Sequence, residues 1–329
     1  MKKFVISILV CLIAFTGLTG CQKATTPKST AENTLNQPLN IGVLFIEDNL
    51  PFFIAEQEGA FEKAGLKVKL IPFQSAAERD AALQAGQIDG EAADLVAAAL
   101  LKKGGADVRI SSITLGATPQ EGRFVLLAAP GSNITRVEEL KNVPIAVSEN
   151  TIIEYITDQL LLGAGFAPAE IKKISVPKMP IRLQMLTNNQ VKAALLPDPL
   201  ASLAEKQGAR VIIDDTKIKT NVSQVVLLFR KDAIDKKRAA IKKLVQVYSE
   251  AARNLTKNPA KYRPLLIEKA KIPDPIKDTY KSPTFSKPTV PSKEDIDRVL
   301  NWMVGKKLLD KKYSYDEMVD VSLLNPRRN

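Results

Sequence analysis

Histidine is absent from all 329 residues. Imidazole-based triads, histidine-ligated zinc and histidine acid–base catalysis are excluded with it. Cysteine is nearly as scarce: there are 2, Cys11 and Cys21, and neither spacing nor number suggests a disulfide framework. Aromatic residues are 5% of the chain, which leaves little for a base-stacking platform or an aromatic cage. No G-x-S-x-G turn and no G-x-x-x-x-G-K loop occurs. The segment "GAGFAP" (163–168) starts like a dinucleotide loop, but it lacks the third glycine and carries Pro168 instead. Gly163 and Gly165 suit a helix end better. Carboxylate or lysine chemistry stays open, yet no catalytic residue, cofactor or metal ligand set stands out.

The chain begins with an address. Lys2 and Lys3 precede the apolar "FVISILVCLIAF", and "LTGC" (18–21) follows. Two cations, a short apolar core and small residues before a cut are the parts of an export signal. Thr16, Gly17 and Gly20 break the run too soon for a lasting span of ~20 residues. "LTGC" resembles the lipobox of bacterial lipoproteins, which implies a signal peptide of residues 1–20 and a lipid on Cys21. Cys11 then leaves with the leader, and the mature chain has no free thiol. Residues 21–38, polar, aperiodic and with two prolines, read as a flexible tether. The expected location is the cell envelope, anchored through Cys21 at the outer face of the cytoplasmic membrane or in the periplasm. The lipid bilayer is thus one expected partner, since acyl chains bury roughly 0.8 kcal/mol per methylene.

The formal charge is +11, from 47 Lys and Arg against 36 Asp and Glu. Nucleic acid is one partner for such a charge. The excess is scattered, however, over "DKKRAAIKK" (235–243), "LTKNPAKYR" (255–263) and "GKKLLDKK" (305–312), and acids are mixed in. These runs read as solvated helix faces, favourable to an anionic membrane surface. No nucleic-acid partner is expected.

From residue 39 the pattern alternates strand and helix. "LNIGVLFI" (39–46) reads as a buried strand and "PFFIAEQEGAFEKAG" (51–65) as a helix, with Pro51 suited to its first turn and Gly65 to its end. "LKVKLIPF" (66–73) is a strand. Ser75 and Glu78 are spaced as a capping box at the start of the helix 75–86. A helix over 94–104 and a strand over 107–114 continue the series. "RFVLLAAPG" (123–131) and "SQVVLLFRKD" (223–232) are long apolar strands that lead into and out of a second alternating set, 143–214. Helices are expected over 235–256, 258–270 and 292–308, separated by a proline-rich loop, 271–291. Such alternation implies α/β architecture with mainly parallel sheets, whose ligands sit beyond the carboxyl ends of the strands. The loops after Ile46, Ile88 and Ile113 therefore matter most.

Four blocks occur in order: "LPFFIAEQEGAFEKAGLKVKL", "ERDAALQAGQIDGEAADL", "GSNITRVEELKNVPIAVSENT" and "VPSKEDIDRVLNWMVGKKLLDKKYSYDEMVD". Over about residues 39–320 the chain resembles the substrate-binding lipoproteins of ABC importers for sulfonates, nitrate and thiamine-precursor pyrimidines. The resemblance implies a two-lobe periplasmic binding protein of type II, with lobes 39–124 plus 229–329 and 125–228 and two hinge crossings. It implies a non-enzymatic, monomeric receptor that closes on a small-molecule solute and presents it to an ABC permease in the membrane.

The loops that the resemblance brings to the cleft are those that the strand ends single out. Asp48 and Asn49 could cap the helix at Pro51; the resemblance sets Asn49 and Leu50, with Asp48, against the solute. Ala93, Asp94 and Leu95 follow the third strand, where Asp94 is a cap or a contact. Gly116 and Thr118 offer backbone groups and a hydroxyl, while Glu121 faces either the cleft or solvent. Ser148, Asn150 and Thr151 open a helix directly after a strand, a natural anion site. Asp198 sits between two prolines as a cap or a cation-facing wall. Glu47, Asp48, Asp94, Glu121, Glu149 and Asp198 together suit an amine- or aminopyrimidine-bearing solute. A sulfonate or nitrate would be repelled unless Arg123 or Arg182 reached in; where the carboxylates are caps that point away, a sulfonate- or nitrate-type anion receptor is the alternative. Phe45, Phe52, Phe53 and Tyr155 are the few candidates for an aromatic cage. A two-lobe enzyme of the same fold, and a surface adhesin or sensor, remain as alternatives.

Overall fold

The computed structural model describes residues 37–324. The leader, Cys21 and most of the expected tether lie outside the described residues. The chain first lays down β1 (Leu39–Val43), α1 (Leu50–Gln57), α2 (Ala60–Lys63), β2 (Val68–Pro72), α3 (Ala76–Gln84), β3 (Gly90–Asp94), α4 (Leu95–Lys103) and β4 (Val108–Leu115). A second set follows: β5 (Phe124–Ala128), β6 (Pro144–Val147), α5 (Ile152–Gly163), β7 (Lys172–Ser175), α6 (Met179–Thr187), β8 (Ala193–Pro197), α7 (Leu200–Lys206) and β9 (Arg210–Asp214). The chain then returns through β10 (Val225–Arg230) and ends in α8 (Lys231–Lys257), α9 (Arg263–Lys269), α10 (Lys293–Gly305) and α11 (Tyr315–Met318).

Two five-stranded sheets result, with orders β2-β1-β3-β10-β4 and β7-β6-β8-β5-β9. Within each, one strand runs against the rest: β10 is antiparallel to β3 and β4, and β5 to β8 and β9. These are the two long apolar strands that the sequence marks as crossings. β10 pairs in the first sheet from Val225 onward, ahead of the expected boundary at residue 229.

Both crossing strands are buried on two faces, and their alternate side chains feed two different cores. Val125 and Leu127 join one cluster with Leu227 and Phe229; Leu126 and Ala128 join the other with Val226 and Leu228. Each cluster draws on both sheets, so apolar packing is continuous between them.

Local chemistry explains the element ends. Ser75 accepts the Glu78 N–H at 3.2 Å, as the capping box requires, but Glu78 reaches back to Gln74 N at 3.2 Å rather than to Ser75. The helix expected over 51–65 breaks in two because Gly59 takes φ 62, where the helical hydrogen-bond ladder cannot continue. No described helix is long and apolar enough to cross a membrane.

Candidate functional site

The first acidic loop forms a single tight turn after β1. Glu47, Asp48 and Asn49 are all buried in it. Asn49 holds the N-cap position of α1 yet makes no capping bond with its side chain, and Asp48 makes none either. Asn49 Nδ2 donates to Asp48 Oδ1 at 2.7 Å instead. Helix capping therefore does not account for these side chains. Burial raises the Glu47 carboxyl to about 8, against a hydrogen bond from Tyr280 Oη at 2.5 Å, and the charges of Asp198 and Asp48 push the same way as burial. Burial likewise raises Asp48 to about 6, with Arg79 opposing it. Tyr248, reaching across from α8, donates to the Asp48 carbonyl at 2.6 Å and fixes the turn from behind.

Arg79 organises the floor beneath this turn. Its stem passes over Gly42, where a side chain would lie 3.0 Å from Arg79 Cγ and 2.5 Å from Ile88 Cδ1. The guanidinium donates to Ala92 O at 2.5 Å and to Asp80 Oδ1 at 2.7 Å, and Nε lies 3.3 Å from Glu91. Glu91 is fully buried on β3, and burial holds its carboxyl well above the usual range despite Arg79. Asp94 ends that strand. Its Oδ1 accepts the Ala97 N–H at 2.8 Å, so it caps α4, and burial raises it to about 6. Ala93 and Leu95 beside it are buried, as is Leu50 beyond the first loop. One arginine thus faces the four carboxyls of Asp48, Asp80, Glu91 and Asp94.

After β4, Gly116 takes φ 81, and a Cβ there would stand 2.7 Å from Ser223 O, so the turn needs glycine. Its carbonyl accepts Asn221 Nδ2 at 2.6 Å. Thr118 is exposed. Glu121 is buried, accepting the Ala117 N–H at 2.9 Å and a hydroxyl bond from Ser286.

On the second sheet the Ser148–Thr151 turn is largely closed by its own side chains. Thr151 Oγ1 accepts the Ile153 N–H at 3.2 Å and donates to Ser148 O at 2.7 Å. Asn150, with φ 59, gives its N–H to Glu154 Oε2 at 2.6 Å. A carboxylate therefore already stands at this helix start. Asp198 accepts both N–H and Oγ–H of Ser202, at 2.9 and 2.7 Å, and its other oxygen lies 3.7 Å from Arg123. Burial raises it. Arg123 also bonds Glu205 at 2.7 Å and Asp214 at 2.8 Å, so its charge is taken up. Among the described residues no acid pairs with Arg182.

The four cage candidates disperse. Phe45 stacks on Phe53 with centroids 5.8 Å apart, Phe52 meets Tyr248 at 4.6 Å, and Tyr155 meets Trp302 at 5.4 Å. Lys271 and Lys269 lie over Phe45 and Phe53, at 4.8 and 5.6 Å. Among the described residues, no group of three or more His, Cys, Asp and Glu side chains is arranged to hold a metal ion.

A contact between the two halves lies away from this floor. Lys306 of α10 bonds Glu154 of α5 at 2.6 Å, and Trp302 Nε1 donates to Asp158 at 2.9 Å. Lys173 bridges both acids, at 2.7 and 2.6 Å. Burial works to raise Glu154, but Lys173, Lys306 and the Asn150 N–H prevail and hold it below the ordinary carboxylate value.

The fold is that of two-lobe periplasmic binding proteins, with two mixed sheets flanked by helices. The chain belongs to the NMT1-like family, which it matches over residues 32–266. The periplasmic aliphatic sulphonate binding protein SsuA of Escherichia coli superposes with a TM-score of 0.74 at 20% identity, covering 89% of this chain and 95% of that one. A ligand-binding component of an ABC-type import system of Staphylococcus aureus, solved with zinc bound, gives 0.73 at 16% identity, covering 88% and 98%. The desulfurization enzyme DSZB gives 0.66 at 13% identity, covering 88% and 97%. No curated protein sequence matches the chain.

Proposed function

We propose that this protein is the extracytoplasmic solute receptor of an ABC importer, a monomer that closes on an amine-bearing small molecule without transforming it. The observation that carries the reading is the Glu47–Asp48 turn. Two carboxyls are buried together, free of any capping duty, on a floor where acids outnumber Arg79. A cationic group bound there would favour their charged forms and offset the burial that now raises them. The loops after β1, β3 and β4 supply Asp48, Asn49, Leu50, Ala93, Asp94, Leu95, Gly116 and Thr118; Ser148, Asn150, Thr151 and Asp198 belong to the second sheet. Two lobes built on the two sheets, with crossings before β5 and before β10, would shift between open and closed populations as solute binds. Cys21 would carry the lipid that keeps the receptor beside its permease.

The test uses residues 22–329, which retain every described residue, unfolded and refolded to remove carried-over solute. A thermal-shift panel covers amines, aminopyrimidines, amino acids, alkylsulfonates and nitrate. A solute at 100 times its dissociation constant adds ~2.7 kcal/mol and moves the midpoint by several degrees. Shifts from amine-bearing compounds, recovered unchanged, support the receptor. Turnover of the bound compound favours an enzyme of the same fold, as DSZB illustrates. Replacing Cys21 by Ala in the full chain should release the protein from membranes; retention would contradict the anchor.

A further inference from the structure

Glu47 is buried, and Tyr280 stands over it. The tyrosine comes from the proline-rich segment 271–291, which leaves α9 and returns to α10. Its short turn Asp274–Ile276 packs against α7 of the second half. Further along, the Phe285 N–H donates to Thr256 Oγ1 of α8 at 3.0 Å, and Ser286 donates to Glu121. Thr289 O accepts the Ile113 N–H at 2.7 Å. The segment is thus a strap fastened to both halves, and Tyr280 lies at its middle.

Tyr280 holds the position that a cation would need. Its hydroxyl donates to Glu47 Oε1 at 2.5 Å. Its ring is buried in the cluster that takes in Ile276 and Phe285 of the strap and Ala201 and Ala204 of α7. The charge of Asp198, from the turn before α7, reaches both Glu47 and Tyr280, so the hydroxyl stands where acids of the two halves converge. A carboxyl this buried is closed to any solute while the ring stays in place. The two partners are not equal, however. A neutral hydroxyl satisfies a protonated Glu47, whereas an ammonium gives a charged Glu47 a hydrogen bond roughly twice as strong.

We propose that Tyr280 is a gate: it plugs the acidic turn of the free protein, and a solute amine displaces its hydroxyl from Glu47 as the strap yields. The inference rests on the receptor reading and deepens it. Only a group that bonds Glu47 better than a neutral hydroxyl opens the gate, which selects ammonium groups over alcohols and water. The strap's fastenings at Thr256 and Ile113 lie outside the Tyr280 contact, so the ring withdraws without breaking a strand pairing of either sheet.

Calorimetric titration of refolded residues 22–329 with propylamine, butane-1,4-diamine and 4-aminopyrimidine decides the matter through the sign of one substitution. Tyr280→Phe keeps the ring and removes the hydroxyl that a solute must displace. The amines should bind this variant on the order of 10-fold more tightly than the wild type, since no hydrogen bond to Glu47 is then given up. A second readout follows the gate itself. The chain has 6 tyrosines, and in a protein with carbon-13-labelled tyrosine the signal missing from Tyr280→Phe is that of Tyr280. Saturating amine should move that signal in the wild type. Unchanged or weaker amine binding by Tyr280→Phe shows a hydroxyl that stays on Glu47 or bonds the bound solute; it overturns the gate and leaves the receptor standing. An unmoved Tyr280 signal at saturation overturns the gate in the same way. Absence of binding by every amine, to wild type and variant alike, overturns the amine receptor and the gate together.

Discussion

Glu47 and Glu154 are both buried glutamates, the first bonded to Tyr280 and the second at the contact of α5 with α10, and their carboxyls are displaced in opposite directions. Glu47, with one tyrosine hydroxyl and two acids for company, is pushed up to about 8. Glu154 meets Lys173, Lys306 and a backbone N–H, and is held below its ordinary value. The seam where α5 meets α10 is electrostatically complete within the chain. Among the described residues the floor around Glu47 has no lysine of its own, and under the proposed function a cation from the solute would complete it. On the proposed function, that difference separates a contact that holds the halves together from a turn that recognises a solute.

Substitutions at the two glutamates should break the symmetry of burial most visibly. Glu154→Ala strands Lys306, leaves Lys173 with Asp158 alone and should destabilise the protein by about 3 kcal/mol, measured by denaturant unfolding. Glu47→Gln keeps the hydrogen bond to Tyr280 and removes only a disfavoured charge, so stability at pH 8 should stay level or rise, by up to about 1 kcal/mol. Its amine affinity should fall at least ~10-fold. A Glu47→Gln change as damaging as Glu154→Ala would erase the distinction.

The floor also predicts a pH dependence. Glu47 goes from 4.5 when unfolded to about 8 when folded, and Asp48 and Asp94 from 3.8 to about 6. The native state therefore binds more protons than the unfolded state across this window. The stabilising contribution is full below pH 4 or so and is lost as pH rises through 6 and then 8. The ligand-free midpoint should drop between pH 5 and 8, and Glu47→Gln should flatten the upper part of that drop. Smaller effects sharpen the seam: Trp302→Phe removes the bond to Asp158 and should cost about 1 kcal/mol. Asp94→Asn keeps a competent helix cap and should change stability by less than ~0.5 kcal/mol.

How far the sequence reveals all this depends on distance along the chain. The strand–helix alternation, the caps at Ser75 and Asp94, and the two crossing strands follow from local periodicity and turn chemistry. Glu47 and Asp48 stand out as carboxylates at a strand end, but their freedom from capping emerges only in three dimensions. Arg79, Tyr248 and Tyr280 escape notice altogether. Arg79 reads as one more charge on a polar helix, and Tyr248 as part of the apolar stripe of α8. Tyr280 sits in a proline-rich loop without period, and meets Glu47 only because the chain folds back across 233 residues. Arg182 is visible in sequence as a cation, while the absence of a described acid beside it shows only in the packed structure.

The most direct test of the acidic floor is proton release. Each amine that shifts the midpoint is titrated calorimetrically at pH 7 in two buffers of different ionisation enthalpy, with wild type and Glu47→Gln. At that pH Glu47 is mostly protonated in the free protein, and a bound cation favours its charged form. Amine binding should expel a proton from the wild type and none from the variant. Binding without proton release, or binding confined to anions, would contradict it.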